Sequence, residues 1–306
     1  MKVRPYNKGD YEDIIEISKH IWDGEDYLPR LINYYLEEPH CKPYVLEDDG
    51  KVVSVVNANY YTPDFAWLEA MRTHPDYRNK GIATKLNEYI FQEAVKSGVK
   101  ELWLSTSKDN KATTKMLSKA GFEEVSLLKV WGFKDDDYDE KSVSENNGLI
   151  GPKLANIEYL EQHISQNIID LTSYWRNVTD IDEINQNTPH DFPFLVNEFM
   201  ICPVDSYFVN IWITEKYIFI NDETNTIMTF KPSKERNGSY MLGIYTSNPN
   251  IIISALYFGY KQVKHRIEDD DTHVQGIDIM IFYPFETRIP LLDSDWVFRI
   301  MKKKIE

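Results

Sequence analysis

The chain has 306 residues, of which 42% are hydrophobic and 13% aromatic, a composition typical of a folded globular protein long enough for two domains. Forty-nine acidic residues stand against thirty-four basic ones, so the formal net charge at pH 7 is −15. This charge argues against a general affinity for nucleic acid or for an anionic membrane surface. It suits an amine-bearing substrate, although a role in solubility is the better explanation of most of it.

The hydrophobic pattern predicts alternating strands and helices through the first half of the chain. Strands are predicted at residues 2–5, 44–47, 52–61, 65–72, 102–105 and 125–133, and helices at 11–21, 31–36 and 82–94. The residues Asp48, Asp49 and Gly50 predict a hairpin turn between the second and third strands. No stretch approaches the roughly 20 apolar residues of a membrane span, and the chain starts without an apolar signal segment. We therefore expect a cytoplasmic protein with no membrane partner.

The most informative segment is residues 74–84, which lies between a predicted strand and a predicted helix and reads HPDYRNKGIAT. The first N–H groups of a helix have no internal partner and attract an anion. Gly81 lets the backbone approach a phosphate, and the small Ala83 keeps the next turn open. Arg78 and Lys80 add positive charge beside these donors. The segment therefore predicts a phosphate-binding loop.

This loop and a second segment together resemble a known family. Arg78-x-x-Gly81-x-Ala83 resembles the pyrophosphate loop of the GNAT superfamily of N-acetyltransferases, whose pattern is Gln/Arg-x-x-Gly-x-Gly/Ala. Residues 110–122 are similar to the family's Asn-x-x-Ala-x-x-x-Tyr-x-Lys-x-Gly-Phe, with the first Asn and the final Lys, Gly and Phe in place. The predicted order of strands and helices is also the GNAT order. Two motifs in the right order make a chance match improbable.

The second motif departs from the family pattern at one chemically important position. Many relatives carry a tyrosine that protonates the departing CoA thiolate, whereas this chain has Leu117, and Thr113 replaces the usual alanine. Leucine cannot donate a proton. We therefore assign no catalytic acid.

The resemblance implies an α/β fold with a mixed sheet and acetyl-CoA as co-substrate. It also implies that the strand before the loop separates from its neighbour, so that a strand N–H can bind the oxyanion that develops on the thioester carbonyl. The implied cofactor-binding residues are Met71, Arg72, Thr73, Arg78, Asn79, Lys80, Gly81, Ile82, Ala83, Thr84 and Asn110.

Glu69 is the candidate general base, because relatives often place one at this point of the strand. A carboxylate partly buried among Trp67, Met71 and Tyr60 would have a raised pKa and could take the proton of a substrate ammonium. A glutamate that merely pairs with Arg72 or a lysine is an equally good interpretation.

The substrate side of such a site is built by the first two helices and the strand after them. The candidate substrate-binding residues are Glu25, Asp26, Tyr27 and Tyr60. Glu25 or Asp26 could hold an ammonium and Tyr27 could stack on a planar group. A helix-capping loop with a packed tyrosine explains the same segment equally well.

Short blocks around residues 26–29, 36–39 and 69–83 look like the histidine N-acetyltransferase group, whose members also carry an extra C-terminal half. The resemblance implies acetylation of the α-amino group of a free amino acid, with Arg72 or the second half holding its carboxylate. A protein or peptide N-acetyltransferase and a non-catalytic acyl-CoA-binding sensor remain alternatives. The sequence does not indicate the oligomeric state.

No metal is expected, because the histidines show no paired zinc spacing and the two cysteines, Cys41 and Cys202, stand far apart. A lone histidine is more often a surface or core residue than a ligand.

We expect a catalytic domain at residues 1–134, a linker at 135–155 and a second α+β domain at 156–306. Strands are predicted at 207–214, 217–221, 226–230, 240–246, 278–283 and 296–302, with a helix from 248 to about 261. This order echoes the first half and suggests a degenerate acetyltransferase-like repeat, although an unrelated α+β domain fits almost as well. No Arg-x-x-Gly-x-Ala motif stands between 245 and 251, so the second half should not bind CoA.

Overall fold

A computed structural model describes residues 1–134, 164–190, 192, 194–197, 199–233, 239–269, 278–289, 292 and 296–305. The predicted linker at 135–155 lies outside the described residues. The strands are β1 (Lys2–Pro5), β2 (Cys41–Asp48), β3 (Lys51–Thr62), β4 (Phe65–Thr73), β5 (Glu101–Ser107), β6 (Glu123–Lys134), β7 (Trp175–Asn177), β8 (Phe194–Asn197), β9 (Met200–Pro203), β10 (Ile218–Asn221), β11 (Thr226–Pro232), β12 (Ser239–Ile244), β13 (Asp278–Pro284) and β14 (Val297–Lys304). The helices are α1 (Tyr11–Ser18), α2 (Leu28–Glu37), α3 (Ile82–Lys96), α4 (Lys111–Lys119), α5 (Gln166–Thr172), α6 (Ile181–Asn187), α7 (Tyr207–Thr214) and α8 (Pro249–Asp269).

One sheet of twelve strands runs through the whole fold, in the order β1-β2-β3-β4-β5-β14-β6-β13-β12-β11-β10-β7. The β4–β5 and β12–β13 pairs are parallel, while β5–β14, β14–β6 and β6–β13 are antiparallel. The last strand of the chain therefore lies inside the N-terminal half, between β5 and β6. A hairpin of β8 and β9 forms a second, two-stranded sheet.

The same connection occurs once in each half. In the first half β3 and β4 are antiparallel, α3 follows, and β5 returns parallel to β4. In the second half β11 and β12 are antiparallel, α8 follows, and β13 returns parallel to β12. A helix between two parallel strands is the usual way to cover one face of such a sheet.

Buried apolar residues show why the helices form where they do. In α3, Ile82, Leu86 and Ile90 are buried at a spacing of four residues, so a single face of the helix packs on the sheet. The opposite face of the N-terminal half is covered by α1 and α2. None of the helices in the described ranges combines the length and apolar character needed to cross a bilayer.

The predicted α/β fold with a mixed sheet is confirmed, but the strand predicted at 207–214 is wrong. This segment, YFVNIWIT, is helix α7. Its aromatic and β-branched residues favour strands on propensity alone. The side chain of Ser206 accepts a hydrogen bond from the N–H of Phe208, and Val209 and Trp212 are buried three residues apart on one helical face. Capping and packing therefore outweigh intrinsic propensity here.

Candidate active site

A cavity of about 600 Å³ opens where β4 and β5 separate. The two strands pair only as far as Leu68 and Leu104, although β4 continues to Thr73 and β5 to Ser107. The backbone of β4 beyond Leu68 therefore has no ladder partner on its β5 side within the described part of the chain. Eight of the predicted site residues line the cavity: Glu25, Tyr27, Glu69, Met71, Arg72, Thr73, Ala83 and Asn110.

A bulge in β4 sets the directions of the side chains at this point. Ala70 has a φ of +55°, in the left-handed region that L-residues rarely adopt. The register between β3 and β4 shifts here, between the Val55 and Asn57 pairings. A bulge re-aims the side chains around it, and here Met71 packs toward α3 while Ala70 packs toward α1 and α2.

The phosphate-binding loop predicted at 74–84 has the conformation of an anion cradle. Gly81 is the N-cap of α3 with a φ of +75°, and Asn79 has a φ of +61°. The first helical hydrogen bond runs from the N–H of Lys85 to the carbonyl of Gly81, at 3.0 Å. The N–H groups of residues 82–84 therefore start the helix without intrahelical partners. A Cβ at position 81 would meet no atom of the described residues within 4 Å, so the space beside Gly81 is open.

Positive charge flanks this helix start. Arg78 donates from Nε to the carbonyl oxygen of Thr73 at 3.2 Å, which ties the loop back to β4. The Nζ of Lys80 lies 5.1 Å from the centroid of the Tyr77 ring. Both basic side chains belong to exposed residues. Together with the helix dipole they form a site that could hold a diphosphate.

The α3 side of the cavity offers polar groups suited to an amide-bearing chain. Asn87, one turn after Ala83, lines the cavity, and its buried Nδ2 has no hydrogen-bond partner among the described residues. Asn110 caps α4 by accepting a hydrogen bond from the N–H of Thr113 at 3.1 Å. Leu117 is 2% exposed and also lines the cavity. An orphaned amide donor fits the carbonyl groups of a pantetheine arm.

Glu69 lies where the cavity reaches β3. Its Oε1 accepts hydrogen bonds from Nδ2 of Asn59 at 2.7 Å and from Nδ2 of Asn57 at 3.0 Å. Both asparagines are at least 96% buried. Glu69 also borders a second cavity of about 80 Å³, whose lining includes the buried Asn197 and Lys231. The carboxylate is thus held by fixed amide donors between the large cavity and the small one.

Arg72 pairs with Asp26. The guanidinium forms two hydrogen bonds of 3.0 Å to the two carboxylate oxygens of Asp26, whose side chain is 0% exposed. It also lies 4.9 Å from the Trp22 ring and 5.2 Å from the Tyr27 ring. Burial lowers the pKa of Arg72, but its interactions with Tyr27 and with the Asp26 carboxylate outweigh this effect and raise the pKa overall. This pair attaches the α1–α2 loop to β4 and leaves Glu25 and Tyr27 on the cavity.

Two of the predicted substrate residues lie elsewhere than expected. Asp26 forms an ion pair with Arg72 and is not among the residues that line the cavity. Tyr60 points to the α3 face of the sheet, where Lys42 lies 4.3 Å from its ring. Successive residues of a strand alternate faces, so Tyr60 and its neighbours Asn59 and Tyr61 point opposite ways. The side chain of Tyr60 therefore lies on the opposite face of the sheet from the side chain of Glu69.

The resemblance allowed for a contribution of the C-terminal half to the substrate site, but the sequence did not reveal which of its residues reach this cavity. Its contribution consists of Phe199, Met200, Trp296 and Phe298, which we call the aromatic wall. Trp296 and Phe298 lie at the start of β14, which is inserted beside β5. The strand itself was predicted at 296–302, but its position in the sheet has no local signal. Asn87, Ser105 and Arg30 also line the cavity and were not predicted.

A group of possible metal ligands lies outside the cavity. Ligand atoms of Glu16, His20 and His74 all fall within 4.8 Å of one another. Glu16 and His20 are four residues apart in the sequence. Oε2 of Glu16 already accepts a hydrogen bond from Nζ of Lys19 at 2.7 Å, and Nδ1 of His74 accepts one from the N–H of Asp76 at 3.3 Å. We attach no function to this group.

Part of the chain is similar in sequence to known N-acetyltransferases. An uncharacterized N-acetyltransferase of Methanocaldococcus jannaschii is 24% identical over 145 residues, which cover 42% of this chain and 63% of that protein. The histidine N-acetyltransferase of Xenopus tropicalis is 26% identical over 111 residues, covering 36% of this chain and 34% of that protein. The aligned part of this chain thus spans less than two thirds of either relative.

One solved structure matches along the whole chain. An acetyltransferase candidate from Thermoplasma acidophilum superimposes with a TM-score of 0.58 at 12% identity, covering 99% of this chain and 100% of that one. This likeness shows a shared fold that includes the C-terminal half. Residues 11–122 match the sequence profile of the acetyltransferase (GNAT) family. The segment that contains β4, the anion cradle and α3 is therefore a GNAT acetyltransferase domain.

Proposed function

We propose that this protein transfers the acetyl group of acetyl-CoA directly to a primary amine of a small molecule, the α-amino group of a free amino acid. The observation that carries the proposal is the cavity between the separated ends of β4 and β5, with an anion cradle on one side and Glu69 on the other. A diphosphate on the loop would direct the acyl arm along β4 to this opening. The relative named histidine N-acetyltransferase supports an amino acid as acceptor.

The proposed chemistry uses groups that line the cavity. Glu69 accepts a proton from the substrate ammonium, and the neutral amine attacks the thioester carbonyl. The new N–C bond forms while the C–S bond breaks, the nitrogen loses its second proton, and this proton passes through water to the departing thiolate, because Leu117 offers none. The unpaired β4 backbone near Met71 supplies an N–H for the developing oxyanion. The cavity of about 80 Å³ beside Glu69, whose lining includes Asn197 and Lys231, is large enough for a water that carries its proton away.

The test is release of free thiol from acetyl-CoA in the presence of amino acids, polyamines and basic peptides. We expect turnover with free amino acids. Turnover with peptides alone would favour a protein acetyltransferase, and tight CoA binding without any acceptor would favour a sensor. In the same assay Glu69→Gln should lower kcat by about 10²- to 10⁴-fold and leave CoA affinity unchanged. Glu88→Gln, an exposed residue of α3, is the matched control.

We also propose that the C-terminal half is a degenerate copy of the acetyltransferase domain that has lost CoA binding. Support comes from its repeated strand, helix and parallel-strand order. Helix α8 starts at Pro249 without the Gly-x-Ala cradle found at α3. A calorimetric stoichiometry of one CoA per chain is expected, and two per chain would contradict this proposal.

A further inference from the structure

We infer that the C-terminal half selects the acceptor, and that the aromatic wall binds an amino acid whose side chain is a flat, uncharged ring. The inference rests on the proposed acetyl transfer, since it names the substrate class of that same site. It assigns Phe199, Trp296 and Phe298 as specificity-determining residues. Met200 completes the surface.

The three rings form one continuous cluster. The centroid of Phe199 lies 5.5 Å from that of Trp296 and 4.6 Å from that of Phe298, and those two are 5.3 Å apart. The rings are tilted by 52–59° to one another. Phe199 also packs edge-on against the fully buried Phe282 at 5.0 Å. The wall is therefore held by the core of the protein, and all of its rings are partly exposed.

The register of β14 places the wall on the acceptor side of the sheet. Phe298 pairs directly with Ser107 of β5, and directly paired residues in antiparallel strands share a face. Leu104 of β5 packs toward α3, the side of the anion cradle. Ser107, three residues further along, points to the other face. The acyl arm would thus reach the opening from the α3 face of the sheet, while the wall lies on the opposite face.

The chemistry of the lining favours a ring over other side chains. The wall contains no charged or hydroxyl group, whereas the acids of the cavity, Glu25 and Glu69, belong to the N-terminal half. Three tilted rings bind a flat ring by offset and edge contacts, which add to the burial of apolar surface. A polyamine or a hydroxyl-rich amine would lose its hydration against this surface without new hydrogen bonds. Alanine would leave the wall in contact with water.

The test compares kcat/KM at pH 8 for phenylalanine, histidine, alanine, lysine and spermidine. Phenylalanine and neutral histidine should exceed alanine by about tenfold or more. Trp296→Leu and Phe199→Leu keep apolar volume and remove a ring, so each should reduce this preference about three- to tenfold through KM. The kcat/KM for alanine should fall less than that for phenylalanine, because alanine has no ring to contact the wall. Trp296→Phe should restore most of the preference.

The control is Tyr174→Leu, which removes a ring that is 43% exposed in the same half and does not line the cavity. This variant should leave every substrate unaffected. The inference is wrong if alanine, lysine or spermidine is the best acceptor, or if the two wall variants reduce all substrates equally. If no amine releases thiol from acetyl-CoA in the unchanged protein, it is the proposed acetyl transfer that fails, not the assignment of the wall alone.

Discussion

Asp26→Asn tests the buried ion pair between Asp26 and Arg72. The carboxylate is 0% exposed, forms two 3.0 Å hydrogen bonds to Arg72, and also accepts one from Ser18 at 3.2 Å. The substitution keeps the shape of the side chain and removes its charge, which leaves the Arg72 guanidinium buried without a counter-ion. Removal of one partner of a buried ion pair costs about 3–5 kcal/mol. The corresponding fall in Tm is on the order of 6 °C.

Urea unfolding of three variants measures this effect. Asp26→Asn should lower the midpoint without changing the slope. Asp64→Asn breaks the exposed Lys100–Asp64 pair of 2.7 Å and should cost less than about 1 kcal/mol. The double variant Asp26→Leu with Arg72→Met removes both charges and should recover most of the loss. If Asp26→Asn behaves like Asp64→Asn, or if the double variant is less stable than Asp26→Asn, the reasoning is refuted.

Two further predictions concern the C-terminal half. Gly243→Ala would place a Cβ on the carbonyl of Val196, where the β8–β9 hairpin packs on β12, so it should cost about 3 kcal/mol or more by urea unfolding. A cost near that of Gly50→Ala, where only the backbone φ of +80° is strained and the Cβ meets no atom of the described residues within 4 Å, would contradict this. Burial raises the pKa of the Cys202 thiol to about 12, so alkylation at pH 8, followed by peptide mass mapping, should label this residue only after unfolding.

The sequence predicted the N-terminal part of the site because its signals are local. A glycine with positive φ, a helix start and an apolar helix face all lie within residues 74–94. The hydrogen bonds of Glu69 come from Asn57 and Asn59, two residues apart on the neighbouring strand. Their role depends on the register between β3 and β4, which a bulge shifts. The sequence pattern alone could not place that bulge.

The remainder of the site depends on contacts distant in sequence. The pairing of Phe298 with Ser107 joins the end of the chain to its first third, and nothing local to β14 specifies that partner. The buried Asp26–Arg72 pair also joins residues that are distant in sequence. The sequence indicated only an acidic loop and an arginine, not that the two form a pair. The division into two domains stays a prediction. What the structure describes is a sheet that continues through both halves.

Titration calorimetry with coenzyme A tests the central claim, that the start of α3 holds the diphosphate of an acyl-CoA. Ala83→Glu puts a carboxylate at this helix start, where the helix dipole stabilises it by about 0.3–1 kcal/mol, so folding should not suffer. The same charge should repel the diphosphate and weaken binding by at least about tenfold. Ser97→Glu, at the exposed far end of α3, should bind like the unchanged protein. Equal affinity of Ala83→Glu and Ser97→Glu, or no heat with the unchanged protein, would contradict the account.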